Sequence, residues 1–214
     1  MPPRALTVLA SGIFALVLTM GVARFAYTPM LAYMQAQTGM GDALAGWLAG
    51  WNYLGYLSGV LLVTRLRDLV LKDRLYRIGL VLAVVTTAMM PLGESPLLWG
   101  ASRYLAGLST AAGLMLGSGL ILNWLLRHGH RAELGLHFSG LGLGIVFGAL
   151  LVELAAPVAD WRGQWWLLTV AGAMLLVPAW RWLPRPGVGP PLAPHHMDSA
   201  NEPGPLWLWL LQGA

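Results

Sequence analysis

Six long apolar runs constrain this chain more than any other feature. They cover roughly residues 6–27, 43–64, 75–91, 97–126, 134–157 and 164–183, and the first can continue past Pro29 to Met34. A helix rises 1.5 Å per residue, so about 20 apolar residues cross about 30 Å of hydrocarbon. All but the third run reach that length without help from their flanks. Transmembrane strands would alternate in segments of about ten residues. These runs are longer and apolar on every face, which predicts helices. Composition agrees: 57% of residues are hydrophobic and 10% charged, where a soluble domain carries about 25% charged residues. With a mean hydropathy of +0.64, an ordinary soluble enzyme or a disordered chain is excluded. The 27 glycines suit close helix packing in lipid. The first run is too long, and lacks a clear cleavage site, for a removable signal peptide.

Charge placement predicts the topology. One side collects Arg4, Arg65, Arg67, Lys72, Arg74, Arg77, Arg127, Arg131, Arg181 and Arg185. The other has Arg162 beside Asp42, Glu94 and Asp160. Arg24 and Arg103 fall inside spans. The positive-inside rule places the N-terminus and the segment after the sixth run in the cytoplasm, in a multi-pass protein of the plasma (inner) membrane. The net charge of +4 and pI near 9.9 therefore describe basic loops facing lipid headgroups, and no nucleic-acid partner is expected. The tryptophans at 99, 124, 161, 165, 166, 180 and 182 sit near run ends, where interfacial anchoring is expected.

Three units follow: a six-helix bundle over 1–183, a Pro-rich cytoplasmic linker over 184–205, and an apolar segment over 206–214. Nine residues cannot span a bilayer. They read as the start of a seventh helix cut short, or alternatively as a tail lying on the membrane.

Local motifs sharpen the reading. Gly21-Val-Ala-Arg24-Phe-Ala-Tyr27-Thr-Pro29 in the first run, and Gly46-Trp47-Leu48-Ala49 with Asn52-Tyr53-Leu54-Gly55-Tyr56 in the second, resemble the YbfB/YjiJ-like group of the major facilitator superfamily (MFS). Arg103-x-x-x-Gly107-x-x-x-Ala111 resembles the general helix-four motif of that superfamily. The resemblance covers about residues 5–185. It implies an all-α integral membrane fold, half of an MFS transporter with the start of helix seven. It also implies secondary transport of a small-molecule substrate by alternating access, with the site near midplane between two six-helix halves. The other half would come from a missing C-terminal part or a homodimer mate. The pattern departs from the superfamily in two places. Val63 and Thr64 stand where the loop 2–3 motif has Asp and Arg, with Asp68 displaced. Gly140-x-x-x-Gly144-x-x-x-Gly148 lacks the Gly-Pro pair of the antiporter motif. A non-transporting structural or assembly membrane protein is the alternative reading.

Chemistry-bearing residues inside the spans are few. Arg24 is the sharpest, since a charge within hydrocarbon costs about 2.5–3.5 kcal/mol on insertion scales and persists where it faces a cavity or a partner. By helical rise, Arg24 lies about 27 Å along the first run, Arg103 about 9 Å into the fourth and Glu153 about 28 Å along the fifth. All three then reach similar depth near the outer side. The expectation is a cluster in which Arg24 faces the cavity, Arg103 lies near it, and Glu153 partly neutralises one of them or couples an ion. The remaining net charge of +1 favours a small organic anion. Tyr27, Asn52 and Tyr53 are the added substrate-binding candidates, although Asn52 is equally suited to bonding helices together. His137 reads as packed or water-facing, and the glycine ladder of the fifth run as a packing surface. No phosphate loop, Ser–His–Asp set, H-E-x-x-H or metal-ligand cluster occurs, so neither enzyme chemistry nor a cofactor or metal is expected.

Overall fold

A computed structural model describes residues 5–187, and among these no strand occurs. The linker beyond residue 187 and the apolar segment 206–214 lie outside the described residues. Six long helices follow in order: α1 (Ala5–Thr38), α2 (Asp42–Thr64), α3 (Leu69–Leu92), α4 (Pro96–Arg127), α5 (Gly135–Ala155) and α6 (Trp161–Arg181). Five of them are long and apolar enough to cross a membrane. The exception is α2. Its 23 residues suffice in length, but Trp47, Trp51, Asn52, Tyr53, Tyr56 and four glycines dilute its aliphatics.

Two boundaries differ from the sequence expectation. The first helix takes the longer of its two expected courses, past Tyr27 and Pro29, and ends at Thr38, four residues beyond Met34. It closes on Gly39, whose left-handed φ of 70° lets its N–H reach the Gln35 carbonyl at 3.1 Å. The middle of α1, Val17–Phe25, is π-helical, as is Ala112–Leu116 in α4. The third helix begins at Leu69 rather than 75, because Asp68 caps it: its carboxylate accepts from the Val70 N–H at 2.9 Å. Lys72, Arg74 and Arg77 are therefore helical residues and not loop residues. Arg77 is buried, paired at 3.0 Å with Asp73 one turn earlier, and donates to the Trp180 and Leu183 carbonyls at 2.7 and 3.0 Å. It thereby caps the C-terminal end of α6, where carbonyls have no helical partner.

Helices α1 and α4 form the inside of the bundle. Helix α1 touches α3, α4, α5 and α6, while α2 lies along α4. Glycines set both closest approaches. A methyl at Gly55 of α2 would overlap the Tyr104 carbonyl, and one at Gly107 of α4 would overlap the Asn52 carbonyl. Gly140, Gly144 and Gly148 of α5 face α1, and a methyl on Gly21 would overlap the Gly144 backbone. Small residues allow van der Waals contact between backbones, which drives helix association where lipid is as apolar as leucine.

The packed interior forms two apolar clusters. One, including Leu18, Tyr76, Leu80, Ile121 and Ala179, lies toward the basic end. The other, including Met30, Met34, Met90, Trp99 and Trp165, lies toward the opposite end. Trp99, Trp161 and Trp165 are buried here and do not serve as interfacial anchors. The Trp99 indole N–H finds the Met90 carbonyl at 3.0 Å, and that of Trp165 meets the Met34 sulfur at 3.4 Å. A large ring with a satisfied N–H fills such space well.

Candidate functional site

A polar layer built on α1, α2 and α4 lies between the two clusters, which meet at Leu175 of α6, and Arg103 is its hub. This guanidinium is 2% exposed. One terminal nitrogen donates to the Ala23 carbonyl at 2.8 Å and the other to the Arg24 carbonyl at 2.9 Å, both on α1. Both carbonyls lie at the end of the π-helical stretch Val17–Phe25, where the regular ladder is loosened, and shortly before Pro29, which has no N–H to give to the preceding turn. The fork geometry of arginine meets two carbonyls at once. The Tyr27 ring packs with its centroid 4.8 Å from the Arg103 guanidinium carbon, and its hydroxyl donates to the Ala45 carbonyl of α2 at 3.1 Å. Asn52 of α2 donates to the Arg103 carbonyl at 2.9 Å. Three helices are thus tied together by three buried side chains.

Arg24 stands apart. Its backbone is held by Arg103, but its side chain is half-buried and lies among aromatic rings. The guanidinium carbon is 4.7 Å from the Tyr56 centroid, 4.9 Å from Tyr53 and 5.3 Å from Phe25. Among the described residues its side chain has neither a carboxylate partner nor a hydrogen bond. Rings stabilise the cation through their faces, and the in-plane N–H groups, which suit a carboxylate bidentately, are left without protein acceptors.

Five of the six candidate residues therefore converge: Arg24, Tyr27, Asn52, Tyr53 and Arg103. Glu153 does not. Its exposed carboxylate accepts from the Tyr33 hydroxyl at 3.2 Å and forms no ion pair with Arg24 or Arg103. The reason is the axial offset of the two helices: Gly12 of α1 packs against His137 and Gly21 against Gly144, so α1 starts more than a turn before α5. Glu153 is thus level with Tyr33, nine residues and about 14 Å beyond Arg24. The expected neutralising pair is corrected on this point. Tyr27, Asn52 and Arg103 are likewise spent on interhelical bonds and buried, so they frame the site while Arg24 and Tyr53 present its surface. Tyr56 completes the aromatic seat. Its spacing of three from Tyr53, which puts both rings on one helix face, is the signal that could have added it to the candidates.

His137 is fully buried and shares a hydrogen bond with Ser118 at 2.9 Å.

The arrangement defines a class of protein: a helical membrane bundle with two arginines, Arg24 and Arg103, held between helices without a carboxylate partner among the described residues, Arg103 on backbone carbonyls and Arg24 among aromatic rings. The family described as "Uncharacterised MFS-type transporter YbfB" matches residues 16–213. The chain belongs to this family of MFS-type transporters. No curated protein matches it.

Proposed function

We propose that this chain forms a six-span bundle of a secondary transporter, with α2 as the sixth span, that moves a small organic anion by alternating access. Its basic end would face the cytoplasm from the plasma membrane. One observation carries the reading: Arg24 is a guanidinium deep within a span, reachable, and unmatched by any carboxylate among the described residues. A charge at such depth is expensive, and a structural arginine would be consumed as Arg103 is. In this reading the anion takes the in-plane N–H groups of Arg24, Tyr53 borders it, and Tyr56 and Phe25 hold the cation in place. Tyr27, Asn52 and Arg103 keep α1, α2 and α4 in register around it. Because the anion supplies the missing negative charge, Arg24 is better neutralised when occupied, and occupancy can bias the rocking of one helix bundle against another.

The test is uptake by proteoliposomes that hold this bundle with its second six-helix half, across a panel of labelled small carboxylates, sulfonates and organic cations. Carboxylate uptake that saturates, and an Arg24→Gln variant that raises KM at least tenfold, support the reading. Cation transport that is indifferent to Arg24 overturns it.

A further inference from the structure

At the basic end of the bundle, far from Arg24, α3 and α6 leave two adjoining cavities between them. The first, of about 430 Å³, is lined by Asp73, Arg74, Arg77, Trp180 and Arg185. The second, of about 410 Å³, is lined by Val81, Leu176, Val177, Trp180 and Arg181. Trp180 borders both, so they form one groove, charged at one end and, Arg181 at its edge apart, apolar at the other. Val81 lies seven residues past Arg74 on α3, which sets the apolar end about 10 Å deeper along the helix.

The charges in the first cavity do not balance. Its carboxylate, Asp73, is occupied by Arg77, which also caps the α6 carbonyls. Arg74 and Arg185 are exposed and have no carboxylate partner among the described residues. Trp180, stacked 5.1 Å from the Arg77 guanidinium carbon, is the kind of amphipathic ring that marks the headgroup level. A ligand for this groove needs an anionic head for Arg74 and Arg185 and an aliphatic chain for Val81, Leu176 and Val177. We infer that the groove is a binding site for one anionic phospholipid, its phosphate held by Arg74 and Arg185 and an acyl chain laid between α3 and α6. Basic pockets between helices at a membrane face suit such headgroups. The inference does not depend on what the transporter carries.

The experiment is native mass spectrometry of the purified chain in detergent, titrated with phosphatidylglycerol, with phosphatidylcholine, and with glycerol 3-phosphate as a headgroup without chains. Phosphatidylglycerol is expected to bind at least tenfold more tightly than either of the others. A basic residue near anionic lipid is worth about fivefold in affinity, so Arg74→Gln with Arg185→Gln should cost roughly 30-fold. The pair Arg65→Gln with Arg67→Gln removes the same charge from the α2–α3 loop and should change little. Val177→Trp keeps every charge, fills the apolar cavity, and should also weaken phosphatidylglycerol. None of these changes touches the Arg77–Asp73 pair, and circular dichroism checks that helix content is kept. Equal retention of phosphatidylcholine and phosphatidylglycerol overturns the inference, as does an equal loss in the loop variant. Glycerol 3-phosphate binding as tightly as the lipid would make the site one for free phosphate and overturn it too.

Discussion

Replacing Arg103 by methionine separates a frame from a binding surface. The change keeps length and apolar bulk but removes two charged-donor hydrogen bonds, at 2.8 and 2.9 Å, to Ala23 and Arg24. Such bonds contribute about 1.5–3 kcal/mol each in soluble proteins, while neutral interhelical bonds in membranes average about 0.6 kcal/mol. A value near 1.5 kcal/mol each suits a buried charged donor. Loss of the Tyr27 stacking adds about 1–2 kcal/mol for a desolvated cation–π contact. Against this, methionine spares the burial of a charge, which returns a part of that sum. The net expectation is a loss of about 3 kcal/mol, or roughly 100-fold in the unfolding equilibrium. Reversible unfolding in mixed micelles, followed by circular dichroism, reads it directly. Arg103→Lys should recover less than half, because a point-charge ammonium does not reproduce the planar fork. A stability within about 0.5 kcal/mol of the parent would refute the brace, the size of an ordinary surface substitution. Lost transport at unchanged stability would move Arg103 from the frame into the binding surface.

Other expectations follow from the same geometry. Arg77→Gln leaves Asp73 buried without its partner and uncaps α6, so it should destabilise the bundle by about 3–5 kcal/mol in the same assay. Gly144→Leu drives a side chain into the α1 backbone near Val17 and Gly21; the folded yield in detergent should fall sharply, while the equivalent change at Gly142, which has open space around it, should not. Glu153→Gln removes an exposed carboxylate bound only to Tyr33; stability should shift by less than about 0.5 kcal/mol, and a larger loss would revive a pairing role. Because the chain has no cysteine, topology is testable by labelling intact cells with an impermeant maleimide. Ser95→Cys, between α3 and α4, should react and Arg131→Cys, between α4 and α5, should not; the reverse pattern would invert the orientation.

The helices were legible because apolar runs of this length leave no other regular structure in lipid. The site was legible in its residues but not in its geometry. Pro29 is a conventional stop signal, yet the helix passes it, and just before it Arg103, 79 residues away from Arg24 in sequence, donates to the Ala23 and Arg24 carbonyls. That contact is invisible to any local pattern, and so is the axial offset of α1 and α5 that sets Glu153 beside Tyr33, about 14 Å beyond Arg24. The start of α3 at Leu69 is masked in the sequence by its charged first turns, although Asp73 and Arg77 stand four apart and form a helical pair. Their carbonyl partners at Trp180 and Leu183 lie more than a hundred residues on, so the latch itself needed the fold. The glycine ladder on α5 read correctly because spacing of four on one face has a single physical use in a bundle, close approach.

The central claim is that the unmatched charge of Arg24 receives the substrate. Its most direct test is the concentration dependence of carboxylate uptake in proteoliposomes holding the bundle with its second six-helix half, for the parent, Arg24→Lys and Arg24→Gln, with unfolding stability measured in parallel. The account predicts that Arg24→Gln raises KM at least tenfold while stability stays within about 1 kcal/mol, and that Arg24→Lys falls between, since an ammonium keeps the charge but not the bidentate edge. An unchanged KM in Arg24→Gln, or a loss of uptake that tracks a loss of stability, would contradict it.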